Sequence, residues 1–178
     1  MDSLSALQKF FTSWMDQLWW SMRDRVGALS MIECWVESWH AASLEIGKLA
    51  RADGSAPQEA TAKTLETLGK TVQVEGNTLR VTQCPIWAQI KERGLEYAYR
   101  CEEFACTPLL DGLKDAIGAT ETTVETSLRL MHIEQARLEY KLSKLGKAAT
   151  SDSKAQREKL EKELKQLPKH HYCLFKIK

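Results

Sequence analysis

The chain has 178 residues, 43% of them hydrophobic and 28% charged, with a formal net charge of +1. That length and mixture supply a real core, and they exclude a disordered or low-complexity chain. The near-neutral charge argues against nucleic acid or an anionic membrane as partner, and no apolar run reaches the roughly 18 residues that span a bilayer.

The opening stretch, "MDSLSALQKFFTSWMDQLWW", lacks a basic start and carries Asp2 and Asp16, so it makes a poor signal peptide and a cytoplasmic location is expected. Within it Leu4, Leu7, Phe11, Trp14, Leu18 and Met22 recur at helical spacing over residues 4–24. Gly27 permits a bend, and residues 26–51 repeat the pattern with Leu29, Ile32, Val36, Trp39, Ile46 and Ala50. These two amphipathic helices hold five of the six tryptophans, Trp14, Trp19, Trp20, Trp35 and Trp39, more than one stripe buries. The plain reading packs the pair on a sheet. The sharper one gives the surplus tryptophans to a dimer surface or to the wall of an apolar ligand pocket. Trp35, Trp39, Trp87 and Tyr97 are the candidate ligand-binding residues.

A loop and a short helix follow, with Pro57 in its first turn and Gly69 as its cap. "TVQVEGNTLRV" reads as a hairpin about Gly76-Asn77, with Val74 opposite Leu79 and Val72 opposite Val81. Residues 85–105 read as one helix opened by Pro85, with Cys84 at its cap and Ile86, Ile90, Gly94, Tyr97, Cys101 and Phe104 along one stripe; a glycine there suggests close approach of another backbone. A new helix starts at Thr107-Pro108 and ends near Gly118.

"TTVETSLRLMH" alternates and reads as a strand over residues 122–132, and "HYCLFKIK" as another, with Cys173, Phe175 and Ile177 inward. Between them Leu138, Leu142 and Leu145 form one helical seam and Leu160, Leu164 and Leu167 another, separated by "GKAATSDS". A helical hairpin is expected over 133–168, its seams packed on each other, with a partner-binding face as the alternative. The whole, residues 1–178, is expected to be one α+β domain: an antiparallel sheet packed against helices, with two N-terminal amphipathic helices and the hairpin inserted before the last strand.

Five cysteines, an odd number, point to free thiols or metal ligands rather than a disulfide framework in a reducing compartment. Cys84 and Cys106 each precede a proline-opened helix, where exposed N–H groups favour the thiolate. Cys101 lies near the break between those helices. His132, His171 and Cys173 come together if the two flanking strands pair antiparallel, giving a soft cluster for zinc or iron. The bland reading is core thiols and a satisfied core histidine, and Cys34 reads as packing.

The "CP" that opens a helix, the glycine and later cysteine within it, "VETSLRLMH" and the closing "YCLFKI" together resemble the four-vinyl-reductase domain superfamily and the related aminothiazoline-carboxylate hydrolase-like proteins, over residues 20–132 and 170–178. The resemblance implies an α+β dimer that binds a small hydrophobic or heterocyclic molecule, with a structural zinc. It carries a ligand role to Cys101, Glu125 and Cys173. Leu128 stands where a second cysteine is expected, and Cys84, Cys106 and His132 are the candidates to replace it.

The leading expectation is a ligand-binding domain with a cysteine-rich, possible metal site. The runner-up is a hydrolase of a small heterocyclic substrate, with Cys84 or Cys106 as nucleophile, or part of a metal site that activates water, and His132 as base. A structural interaction module is third.

Overall fold

In the computed structural model, which describes residues 3–52, 54–145 and 150–178, seven α-helices accompany a four-stranded antiparallel sheet among the described residues. The α+β class is as expected. Helices α1 (Ser3–Val26) and α2 (Ala28–Ala52) come first, separated at Gly27. Helix α3 (Pro57–Thr67) opens on Pro57 and closes as the sequence suggests: the Gly69 N–H bonds to the Glu66 carbonyl at 2.8 Å and the Lys70 N–H to the Leu65 carbonyl at 3.1 Å. That closure turns the residue after the glycine towards the helix it ends. Strands β1 (Thr71–Glu75) and β2 (Thr78–Gln83) then form the expected hairpin, in the expected register.

The helix expected over 85–105 is shorter. Helix α4 (Pro85–Glu92) stops because Gly94 adopts φ +65°, with the Leu95 N–H bonded back to the Ile90 carbonyl at 3.0 Å. A β-carbon at Gly94 would meet nothing within 4 Å, so the glycine serves a left-handed turn and not a close backbone approach. After a turn, a π-helical turn (Glu102–Cys106) runs straight into α5 (Thr107–Ile117). Cys106 has helical dihedrals, φ −70° and ψ −45°, so it does not precede a fresh helix.

The strand expected over 122–132 also ends early. Strand β3 (Thr122–Thr126) gives way to α6 (Leu128–Leu145), because the Ser127 Oγ accepts the Leu130 N–H at 3.0 Å and caps it. The letters keep alternating as far as His132, but Leu, Arg and Met are good helix formers once a cap is present. The helical pair therefore begins at Leu128, not at residue 133. Its second member, α7 (Ser151–Gln166), is capped by Thr150, and Leu138 and Leu160 are buried as the seams predict. Residues 146–149 of the connecting "GKAATSDS" lie outside the described residues.

The last strand, β4 (Cys173–Ile177), lies between β2 and β3, giving the order β1-β2-β4-β3. Val81 faces Cys173, Leu79 faces Phe175, and Val124 faces Phe175 from the other side. Leu79, Val81, Cys173, Phe175 and Ile177 are buried with Leu65 of α3, Trp87 and Ile90 of α4, and Leu109, Leu110 and Leu113 of α5. Helix α2 packs chiefly on α5 and not on the sheet, which corrects the plain reading of the N-terminal pair. No helix among the described residues is long and apolar enough to cross a membrane.

Candidate functional site

Two places in the fold carry chemistry. The first is a groove of about 270 Å³ between α1, α2 and the body. Phe11, Trp14, Met15 and Leu18 form its outer wall, Trp35, Trp39 and Ile46 its inner wall, and Leu68 and Leu109 its base. No charged residue lines it. Its hydroxyls are spent on their own helices: Ser38 Oγ donates to the Cys34 carbonyl at 2.6 Å, Ser43 Oγ to the His40 carbonyl at 2.9 Å, and Thr64 Oγ1 to the Ala60 carbonyl at 2.9 Å. The groove thus offers aromatic faces and methyl groups and no free hydroxyl proton.

Aromatic rings hold this wall rigid. Trp35 lies edge-on to Trp39 at 6.3 Å and to Trp19 at 5.2 Å, and Trp19 lies edge-on to Tyr99 at 5.4 Å. The Trp35 indole nitrogen is buried beside Tyr99 without reaching good hydrogen-bond geometry. Burial pushes the Tyr99 phenol well above its ordinary pKa. Helix α1 is tied down mainly by polar contacts. Gln8 Nε2 donates to the Thr67 carbonyl at 3.0 Å, Asp16 pairs with Arg93, and the Arg93 guanidinium lies 5.4 Å from the Trp20 ring. Leu4, Leu7, Phe10, Phe11 and Trp14 remain exposed along it.

Of the four expected ligand-binding residues, Trp35 and Trp39 line this groove. Trp87 is buried in the core beneath the sheet, and Tyr97 is 66% exposed and outside the groove's lining. Phe11, Trp14 and Leu68 were not singled out as binding residues, because helical periodicity marks them as apolar without saying which stripe stays uncovered.

The second place is a thiol cluster. Cys101, Cys106 and Cys173 are buried in one apolar core, and Cys84 packs against it half-buried. The expected convergence therefore holds for these four, and Cys34 lies exposed on α2 rather than packed. At the centre is Lys70, only 5% exposed and without a carboxylate partner among the described residues. Burial disfavours its charge, but the sulfurs of Cys106, Cys84, Cys173 and Cys101 act the other way and raise its pKa. Sequence periodicity gave no hint of Lys70; the signal available was its place directly after a helix-capping glycine, where the side chain turns inward.

These thiols are not activated as the helix-cap argument expects. Burial pushes Cys106 up to about 11, with Lys70 pulling it down and Cys84 pushing it up further. Burial raises Cys101 and Cys173 further still, although Cys173 Sγ accepts the Leu128 N–H at 3.4 Å. Beside them sits a buried ion pair that the sequence reading missed. Glu102, on the π-helical turn, pairs with Arg129 of α6 and accepts from Ser127 Oγ at 3.5 Å, while Arg129 Nε donates to the Glu96 carbonyl at 2.7 Å.

His132 stands on α6 and not on a strand, with its ring 5.5 Å from Trp87 and 6.2 Å from His171. Burial, with His132 and Lys91 nearby, lowers the His171 pKa. Among the described residues no hydrogen bond joins His132 to Cys84 or Cys106, the contact that a thiolate hydrolase would use. Glu125 is exposed on β3, between inward-facing Val124 and Thr126, and so points away from the thiols. No group of three or more His, Cys, Asp or Glu among the described residues is placed to hold a metal ion, so these side chains do not fit the zinc or iron centre that the resemblance implies.

No protein-family model matches the chain, and no characterised protein or solved structure matches it either. Its function is therefore read from the site's own chemistry.

Proposed function

We propose that the protein is a cytoplasmic binding domain for a small apolar molecule, held in the groove between α1 and α2. The observation that carries this reading is the groove's lining: three tryptophans, no charge, and hydroxyls already donating to helix carbonyls. A volume of about 270 Å³ corresponds to roughly nine waters at about 30 Å³ each. Those waters find few partners on such walls, and an apolar ligand that displaces them gains affinity. Charged or strongly polar molecules would lose hydration without finding a partner. A ligand of this size binds at micromolar or weaker affinity.

The exposed stripe Leu4, Leu7, Phe10 and Trp14 beside the groove favours a homodimer as the assembled state. Binding of N-phenyl-1-naphthylamine, read by its fluorescence and by tryptophan quenching, tests the ligand reading. Saturable binding that Trp39→Ala weakens about tenfold supports it. An absence of saturable binding, with an equal absence of any retained small molecule in native mass spectrometry, sinks it.

A further inference from the structure

We propose that Cys84 and Cys106 form a dithiol that hydroperoxides oxidise to a disulfide, with Lys70 as the positioning cation. Cys84 is the one of the four clustered thiols that is half-buried instead of buried, and it lies on the wall of an open cleft of about 420 Å³ with Gly69, Trp87 and Lys91. Lys70 follows Gly69 in the chain and turns inward behind that wall. A buried ammonium with no carboxylate is costly, and an oxygen-bearing sulfur anion is the partner the site lacks. Cys106 is buried on the inner side, and Lys70 and Cys84 are the two side chains that act most on its thiol. It sits in the π-helical turn, a local widening of the helix that recurs at functional sites.

The chemistry balances without another reagent. The Cys84 sulfur attacks one peroxide oxygen: an S–O bond forms, the O–O bond breaks, and the alcohol (or water, from hydrogen peroxide) leaves with a proton. Sulfur is oxidised by two electrons and the peroxide is reduced. Lys70 holds the sulfenate. The Cys106 sulfur then attacks Cys84, the S–S bond forms, and the departing hydroxide takes up the proton given up by Cys106 as water. Bond closure requires the Cα atoms to reach disulfide spacing, and the segment 82–85 ahead of α4 is the part free to adjust.

The test uses the full chain, reduced and desalted, then treated with stoichiometric hydrogen peroxide with and without dimedone. Free thiols are blocked with N-ethylmaleimide before peptide mapping. The expected result is one intramolecular disulfide, Cys84 to Cys106, with dimedone trapped at Cys84. Cys34→Ser leaves both signals unchanged, Cys106→Ser leaves the dimedone adduct but removes the disulfide, and Lys70→Met slows adduct formation by about tenfold. Lys70→Met replaces a buried cation by an apolar chain of similar length, and circular dichroism confirms that the variant folds before its rate is read. The proposal is overturned if Cys84 oxidises no faster than exposed Cys34, if the bond formed joins Cys84 to a different cysteine, or if Lys70→Met leaves the rate unchanged.

Discussion

Gly112 of α5 lies directly against Ser43 of α2: a β-carbon on the glycine would fall on the Ser43 hydroxyl and the His40 carbonyl oxygen. The same crossing brings Gly47 onto Ala116 and Leu113, so the two helix backbones meet where neither carries bulk. Since α2 also carries Trp35 and Trp39, this contact sets the distance between the groove's inner wall and the core. Gly112→Ala is expected to destabilise the fold by about 1–3 kcal/mol through overpacking. Urea denaturation measures it, and an unchanged midpoint would show that the helices move apart freely.

The Glu102–Arg129 pair joins the π-helical turn to the first turn of α6, both side chains nearly excluded from water. Removing one partner leaves the other charge buried alone. Glu102→Gln or Arg129→Met should therefore cost about 3–5 kcal/mol each, and the double variant should recover much of that loss. Chemical denaturation of the three variants gives the coupling directly; simple additivity would mean that each charge already has another partner.

Alkaline pH should unfold the protein through its buried sulfurs. The Cys106 pKa in the fold is raised from 9.0 to about 11, so the neutral thiol is the stabilising form. Its contribution is fully present below 9.0 and is lost as pH rises towards about 11. Lys70, also raised, adds a loss in the same direction above its ordinary value. Cys106→Ala should flatten the decline of stability over that window, measured by denaturation at stepped pH. A decline of unchanged slope would assign it to other groups.

Helix α1 forms the outer wall of the groove yet is held by Gln8, by the Asp16–Arg93 pair and by stacking of Arg93 on Trp20. Arg93→Ala removes the last two together. Hydrogen exchange of α1 amides should quicken and apolar-probe affinity fall by about fivefold, while global stability changes by under about 1 kcal/mol. Unchanged exchange would mean that the apolar contacts alone secure the helix.

Much of the architecture was legible in the letters. Val72, Val74, Leu79 and Val81 around Gly76-Asn77 specify the hairpin and its register, because a two-residue turn leaves one way to pair them. The leucines at 138 and 160 specify the paired helices. What was misread lies at boundaries. Ser127 looks like one more polar residue in an alternating strand, and only its hydrogen bond to Leu130 reveals a cap. Gly94 falls in register with a helical stripe, yet its positive φ ends the helix.

The site divides in the same way. Trp35 and Trp39 were visible as surplus aromatics, and the meeting of Cys84, Cys101, Cys106 and Cys173 was anticipated from strand pairing. Lys70 and the Glu102–Arg129 pair were not, since lysine, glutamate and arginine read as surface until tertiary contacts bury them. Glu125 was carried over from the resemblance, but a single step along a strand reverses which way a side chain points.

The placement of β4 has a consequence for how the chain acquires its shape on the ribosome. Thr78 pairs with Lys176, and every strand made before the helical hairpin waits for a partner made after it. Until then β2 and β3 flank a vacant slot, each with a row of unanswered amides, over an uncovered greasy floor. Such contacts between remote segments form slowly. The newborn chain is therefore a natural client for a chaperone, and a peptide bearing the sequence of residues 173–177 would be the competitor best suited to fill that slot first.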